Sequence, residues 1–406
     1  MGREIQSQRN IVKTKIAVVF VAVLLASLMV SSASAQIMPA LVVNCNVGQS
    51  LNGILSKLNK QLATTIVVQG TCTEYVLING FEGLTLKGAP GAALRQPSTN
   101  PTNGLAIQVL SILASRSVTI DGLAIHSGSA LAGIGIGQNS MDIRLRNLTL
   151  DGTGVFGLIV AEESQVSLAR VTARDPGFAS VGVFDVSDVH VESSLFESTT
   201  GSGFHEGLSI GSGHVTIQSS TIRNMQVAVE ANKSGMIDIQ SFNTYYPIST
   251  PNDVIIENPA GTNSQGVKLG GGAQLNVGDT KLRITNAGQP WGGNSAAVWV
   301  SDGSTLSDGG GNLVVSGSQG QGVFVSNNSH ASLSGSNITG SNHGGLVVAN
   351  LSTISVGPGN TLTLVGGNAI DVFCDSKSVV TGAANFAGVP TINCSNLLPG
   401  DTEPLP

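Results

Sequence analysis

Gly133-Ile134-Gly135-Ile136, Gly157-Leu158-Ile159-Val160 and Ser180-Val181-Gly182-Val183 carry one short pattern: a small residue, an apolar residue, any residue, and a second apolar residue. It returns at Gly207-Leu208-Ser209-Ile210, Gly266-Val267-Lys268-Leu269, Ala297-Val298-Trp299-Val300, Gly322-Val323-Phe324-Val325 and Gly345-Leu346-Val347-Val348. It is read also at Gly104-Leu105-Ala106-Ile107, Gln226-Val227-Ala228-Val229 and Ala369-Ile370-Asp371-Val372. Most copies stand near 24 residues apart, with spacings of 19, 40 and 31 where a loop shrinks or grows. A fixed period of this length marks a repeat architecture.

Two further strand-like pieces follow each copy. Ile143-Arg144-Leu145 precedes Leu148-Thr149-Leu150, and Val215-Thr216-Ile217 precedes Thr221-Ile222. Each alternates apolar and polar residues with period two, so each buries one face. The turns between them are made of Gly, Ser, Asn and Asp. Three short strands per repeat make one coil, and one coil cannot bury its own apolar face. Stacking does so, with each strand pairing in parallel on its counterpart. The expected fold is therefore all-β, a parallel β-helix of stacked coils. Leucine-rich repeats share the period but need a fixed Leu/Asn consensus, and propellers need Trp-Asp signatures; neither occurs here.

The ends of such a stack would expose strand edges. Residues 50–62 answer this at the N-terminus. Leu51, Ile54, Leu55, Leu58 and Leu62 follow helical spacing behind Ser50 as N-cap, which predicts a short capping helix. The four cysteines lie two near each end. Three pairings exist, and local bridges Cys45–Cys72 and Cys374–Cys394 are favoured, because crossed pairs would tie the two ends together. The expected organisation is a signal segment at 1–35, one helical-coil domain at 36–398 with caps near 45–72 and 374–394, and a loose tail at 399–406.

The N-terminus reads as an export signal. Arg3, Arg9, Lys13 and Lys15 precede an apolar stretch from Ile16 to about Val30, and Ala33-Ser34-Ala35 offers a cleavage site before Gln36. The expected location is secreted or periplasmic, which agrees with paired cysteines. No second apolar run of spanning length follows, so no membrane span is expected in the mature chain. A net charge of −6 gives little attraction for nucleic acid. Charged residues are only 11% of the chain, but 41% is apolar and rich in Val, Ile and Leu, which supports a core rather than a disordered chain.

With the repeat in place, the chain resembles the right-handed β-helix proteins of the pectate-lyase-like superfold. Gly70-Thr71-Cys72-Thr73-Glu74 and Leu84-Thr85-Leu86-Lys87-Gly88 resemble the first coils of secreted bacterial members. The resemblance implies the fold across nearly the whole mature chain. It leaves activity open, because the superfold hosts lyases, hydrolases, epimerases, adhesins and tailspikes. Gly203-Phe204-His205-Glu206-Gly207-Leu208-Ser209-Ile210-Gly211-Ser212 is similar to a polygalacturonase signature, Gly-His-Gly-Leu-Ser-Ile-Gly-Ser. Glu206 interrupts it, and the places of that family's aspartates hold Phe156 and Ala179-Ser180. Inverting hydrolysis needs two positioned carboxyl groups, so the match reads as coil consensus. Ser209 in its GxSxG sits mid-strand, without the strand–turn–helix a nucleophile needs.

Other polar groups read as solvated structure. Glu162 and Asp185 match in adjacent coils as turn carboxylates, and Arg144, Arg146, His190 and Glu192 face outward from the middle strands. No CxxC or paired-His spacing points to zinc. Aromatic residues are more informative. Of three Tyr and two Trp, Tyr245, Tyr246, Trp291 and Trp299 fall in the window with the two longest repeat spacings. Long loops on a rigid scaffold usually carry function. The outward positions of the first strands give the row Ser209, Ala228, Lys268, Trp299, Phe324 and Val347, with Glu230 in the next row. Tyr245, Tyr246, Lys268, Trp291, Trp299 and Phe324 are the expected binding residues for a polysaccharide or cell-surface glycan. Rings offer a sugar both area and a polar handle.

Two alternatives stand beside that reading. One is a polysaccharide lyase or glycoside hydrolase, with Lys268 and Glu230 as candidate catalytic residues. No cofactor is expected except under the lyase reading, where Glu230, Asp253 and Glu257 would hold Ca²⁺. The other is a non-catalytic structural or adhesive rod. The sequence does not give the oligomeric state.

Overall fold

The computed structural model describes residues 40–98, 108–152, 154–199, 205–241, 253–258, 264–288, 295–357, 361–364, 366–388 and 390–398. The expected signal segment, the tail after Leu398, and Tyr245, Tyr246 and Trp291 lie outside the described residues.

Three long parallel sheets run through the chain, of 13, 15 and 11 strands. They are called the first, second and third sheets here, in the order that a coil visits them. Each strand pairs with its counterpart one coil away and skips the two between. Phe156–Val160, Gln165–Ala169 and Thr172–Arg174 form one coil, and each lies on the equivalent strand of the next: Ala179–Phe184, Asp188–Glu192 and Leu195–Glu197. The chain is a right-handed parallel β-helix. Its core is the stack of inward apolar residues, such as Leu158, Val181, Leu208, Val229 and Val267, all at most 2% exposed.

Room explains the small residue near the start of most of the first strands. A Cβ at Gly207 would lie 2.4 Å from the Ala228 carbonyl oxygen of the next coil and 2.5 Å from Ile222 Cγ2. At Gly207 no side chain fits unless the next coil gives way.

The corner after the first strand repeats as well. It takes two successive left-handed residues, as at Glu162-Glu163, Asp185-Val186, Asn327-Asn328 and Asn350-Leu351. A buried serine often follows. Ser140 N–H donates to Ser164 Oγ (3.2 Å), and Ser164 N–H donates to Ser187 Oγ (3.1 Å). Ser329 N–H donates to Ser352 Oγ (3.2 Å), and Ser352 N–H to Ser378 Oγ (3.3 Å). These ladders satisfy corner N–H groups that neither strand pairing nor water reaches.

Both ends carry the expected disulfides, Cys45–Cys72 and Cys374–Cys394, and no cysteine is free. The N-terminal helix, α1, is Leu51–Leu55, shorter than its spacing predicted. Ser50 caps it by accepting from Gly53 N–H (3.1 Å), and Glu74 accepts from Leu51 N–H (2.6 Å). Beyond Leu55 the bonds tighten to Lys57 N–Ile54 O and Leu58 N–Leu55 O, so the helical turn runs out. Leu58 still packs on the core, but Leu62 is 45% exposed. No helix among the described residues is long and apolar enough to cross a membrane. Two disulfides with no free thiol belong to an oxidising compartment.

The serine ladder makes a prediction. Ser164→Ala removes the acceptor for the buried Ser140 N–H and should cost about 1–3 kcal/mol, the penalty for an unsatisfied buried donor. The urea midpoint measures it, and an unchanged midpoint would show the ladder to be dispensable.

Candidate functional site

Across the 13 strands of the first sheet only three of the described residues are ionisable acids or bases: Glu206, Glu230 and Lys268. They meet. Ser209, Glu230, Lys268, Trp299 and Phe324 are successive register partners on five neighbouring strands. Lys268 Nζ donates to Glu230 Oε1 (2.8 Å), and Asn232 Nδ2 donates to the same oxygen (2.8 Å). The Lys268 side chain keeps 30% of its surface exposed and that of Glu230 keeps 12%.

Glu206 is the member that the sequence reading passed over. It is 2% exposed, on the strand next to that of Glu230, with its carboxyl hydrogen-bonded to the Glu230 carboxyl and to Ser209. Burial first, and then the Glu230 carboxyl, push Glu206 up to about 8, against the pull of Ser209 and Lys268. Burial would also raise Glu230. The hydrogen bonds from Lys268, Glu206 and Asn232 outweigh that, together with the Lys268 charge, and hold Glu230 below the ordinary carboxylate range. At neutral pH the pair therefore shares one proton, held on Glu206.

Aromatic rings flank this polar centre on the same face. On one side Phe156 packs edge-on against Phe178 (5.5 Å between ring centres) and Phe184 (6.0 Å). The rings cover Gly182, where a Cβ would lie 2.7 Å from Phe184 Cε2 and 2.8 Å from Phe156 Cε1. On the other side Trp299 stacks on Phe324, with ring centres 6.1 Å apart and planes 23° apart. Trp299 Nε1 donates to Ser326 Oγ (3.3 Å). Gly182 and Trp299 are four strand spacings apart, about 19 Å at about 4.8 Å per strand.

Several expectations are corrected. Glu230 is not in a second row but directly between Ser209 and Lys268, while Ala228 is fully buried. The repeat in that coil is Ala228-Val229-Glu230-Ala231, two residues later than the sequence pattern suggested. The same slip occurs at the C-terminal end, where Asp371-Val372-Phe373-Cys374 follows the Leu346–Val348 register. Near the N-terminus the strand Gln108–Leu113 pairs with Ala132–Gly137, so the repeat there opens at Val109, five residues after the expected Gly104–Ile107, which lies outside the described residues. Phe324, expected on an exposed face, is only 6% exposed and serves as the floor for Trp299. The Ca²⁺ set is not assembled. The strand Val254–Glu257 belongs to the third sheet, where Glu257 lies beside Arg223, and Asp253 accepts from Arg283 Nε (2.5 Å).

The other polar groups singled out in the sequence lie apart from this cluster. Glu162 accepts from Gln138 N–H (2.6 Å) within the corner row. Arg144 pairs with Asp142 (2.8 Å). On the second sheet His214 bridges Asp188 (3.0 Å) and Asp238 (2.9 Å), and His190 contacts Asp188 (3.2 Å). The hydrogen bond to Asp188 leads in raising His214, ahead of the opposing effect of burial. On the third sheet Glu197 lies between Arg174 and Arg223.

No protein-family model and no curated protein matches the sequence. Solved structures do. The catalytic domain of a GH87 alpha-1,3-glucanase in complex with nigerose is 12% identical, at a TM-score of 0.45 over 89% of this chain and 70% of that one. A surface adhesin of Streptococcus pneumoniae is 10% identical, at 0.34 over 85% and 93%. The Family 28 exopolygalacturonase of Yersinia enterocolitica is 8% identical, at 0.32 over 91% and 79%. At these identities the likeness is one of fold.

The carboxyl pair makes a testable prediction. The folded chain holds a proton on Glu206 that the unfolded chain releases near its ordinary pKa of 4.5, and it gives that proton up only near 8. This group therefore lowers stability as pH rises from about 4.5 to about 8. The urea midpoint of the wild type should fall across that window more steeply than that of Glu206→Gln. Parallel curves would mean that Glu206 ionises normally.

Proposed function

We propose that this chain is an exported protein that binds a polysaccharide or cell-surface glycan on the outer face of its first sheet. One observation carries the reading. The sole charged cluster of that sheet, with Ser209 and Asn232, sits between two aromatic groups on one straight ladder. Sugar rings present apolar faces that stack on aromatics and hydroxyls that need donors and acceptors between them. The span of about 19 Å from strand spacing suits several sugar units. Trp299 is the ring we assign to direct contact, with Phe324 beneath it. Trp291 stands five residues before the Ala296–Val300 strand in sequence, and we include Trp291, Tyr245 and Tyr246 as further contributors.

Binding is favoured over chemistry. β-Elimination needs a free base, and the Lys268 ammonium is engaged as a donor to Glu230. Hydrolysis needs two carboxyl groups several ångströms apart, whereas Glu206 and Glu230 touch.

A glycan array probed with the mature domain tests the proposal. At least one glycan class should bind, and Trp299→Ala should weaken it about tenfold, the effect of losing one stacking ring. Binding untouched by Trp299→Ala would move the site elsewhere. No binding to any glycan would favour an adhesive rod that works through its own surface.

A further inference from the structure

We propose that the site selects uncharged polysaccharides and rejects uronate chains. The proposal rests on the glycan-binding reading of this face and adds the substrate class.

The argument is one of charge and position. A chain of uronic acids carries a carboxylate on every sugar, and its capture needs cations that are free to pair. The first sheet has one cation among its described strands, Lys268, and its ammonium is already bound to Glu230 at 2.8 Å. Glu206 adds a second carboxyl to the same patch, almost wholly buried. A uronate over this patch would meet no unpaired cation on the described strands of the sheet, and it would approach a carboxylate beside low-dielectric aromatic walls. Like-charge contacts of this kind are unfavourable, the more so where water is displaced.

A neutral sugar meets a suitable set of partners. The Glu230 carboxylate accepts from hydroxyls, Lys268 keeps donors beyond the one given to Glu230, and Ser209 and Asn232 are half-buried at the same level. Phe156 and Phe184 at one end and Trp299 at the other meet apolar sugar faces without any charge requirement. Glu206 acts here as a positioning residue. Held against Glu230 and bonded to it, Glu206 helps keep that carboxylate ionised, so Glu230 and Lys268 cancel and the patch carries no excess positive charge.

The test measures affinity at pH 6 and low salt for two sets of probes. One set is neutral: dextran, laminarin and galactomannan. The other is anionic: polygalacturonate and alginate. The wild-type protein should bind at least one neutral probe at least tenfold more tightly than either uronate. The isosteric pair of changes Glu206→Gln with Glu230→Gln uncovers Lys268. It should weaken neutral binding and create uronate binding that salt abolishes and a further Lys268→Met removes. Circular dichroism checks that these variants keep their β-structure, and the wild-type comparison needs no variant at all. Tighter wild-type binding to a uronate, lost in Trp299→Ala, would overturn the selectivity and leave the glycan face standing. Binding to neither set would remove the glycan face and this proposal with it.

Discussion

The contacts within the three sheets follow from one constraint: equivalent residues of successive coils lie directly over one another, about 4.8 Å apart. A parallel ladder holds only while its hydrogen bonds stay in register, so a side chain's nearest neighbours are its counterparts above and below. Apolar counterparts make the core. Buried serines become ladders in which each hydroxyl accepts from the N–H of its counterpart, as in Ser140, Ser164 and Ser187. Asparagine does the same at the surface, where Asn350 Nδ2 donates to Asn327 Oδ1 and Asn327 Nδ2 to Asp302 Oδ1. Ions obey the rule too. Glu230 and Lys268 are 38 residues apart in sequence and touch only because a long connection returns the chain to register.

The same constraint explains why the fold was legible in the sequence. A stack repeats its demands: a small residue where coils approach, apolar residues inward, turn formers at the corners. Register was less legible. Alternation has period two, so a pattern of apolar and polar residues is satisfied equally well two positions along. In Gln226–Ala231, the run Val227-Ala228-Val229 offers two matches, and the true one is set by Ala228 at the tight approach, not by alternation. The end near Asp371 slipped for the same reason. The capping helix was legible in its N-cap and inward leucines but not in its length, because tertiary packing ends it once Leu55 and Leu58 are covered.

The site was legible in part. Glu230, Lys268 and Trp299 stood out as polar and aromatic residues at outward places, and the structure makes them neighbours. Phe324 looked equally outward, yet stacking against Trp299 buries it. Glu206 was noticed only as the residue that spoiled a familiar pattern. It escapes alternation because the Gly207 position turns into the corner against Ile222, so Glu206 and Ser209 reach the same patch although three residues apart. The signal was present: no other strand of that sheet opens on a charged residue. The Phe156, Phe178 and Phe184 group was missed because its coils hold no Trp or Tyr. Gly182, the space that admits the rings, looked like one more small residue.

Charges elsewhere in the stack come in compensated ladders. Glu197 lies between Arg174 and Arg223 on an open face, and His214 bridges Asp188 and Asp238. Such groups need no function beyond filling the outer surface of a sheet. The first-sheet cluster differs in kind. Two carboxyls meet and only the outer one, Glu230, is paired with the lysine, while the deeper one is buried with its Oε2 unpaired. A buried carboxyl with an unsatisfied oxygen lowers stability relative to an apolar residue of similar size, and Ala179 and Val227, its register partners, are apolar. Folding therefore gives no reason for Glu206 to be there. Perturbed, costly ionisable groups concentrate where a protein meets its ligand, and on this molecule that argument points to the one stretch of the first sheet with aromatic platforms on both sides.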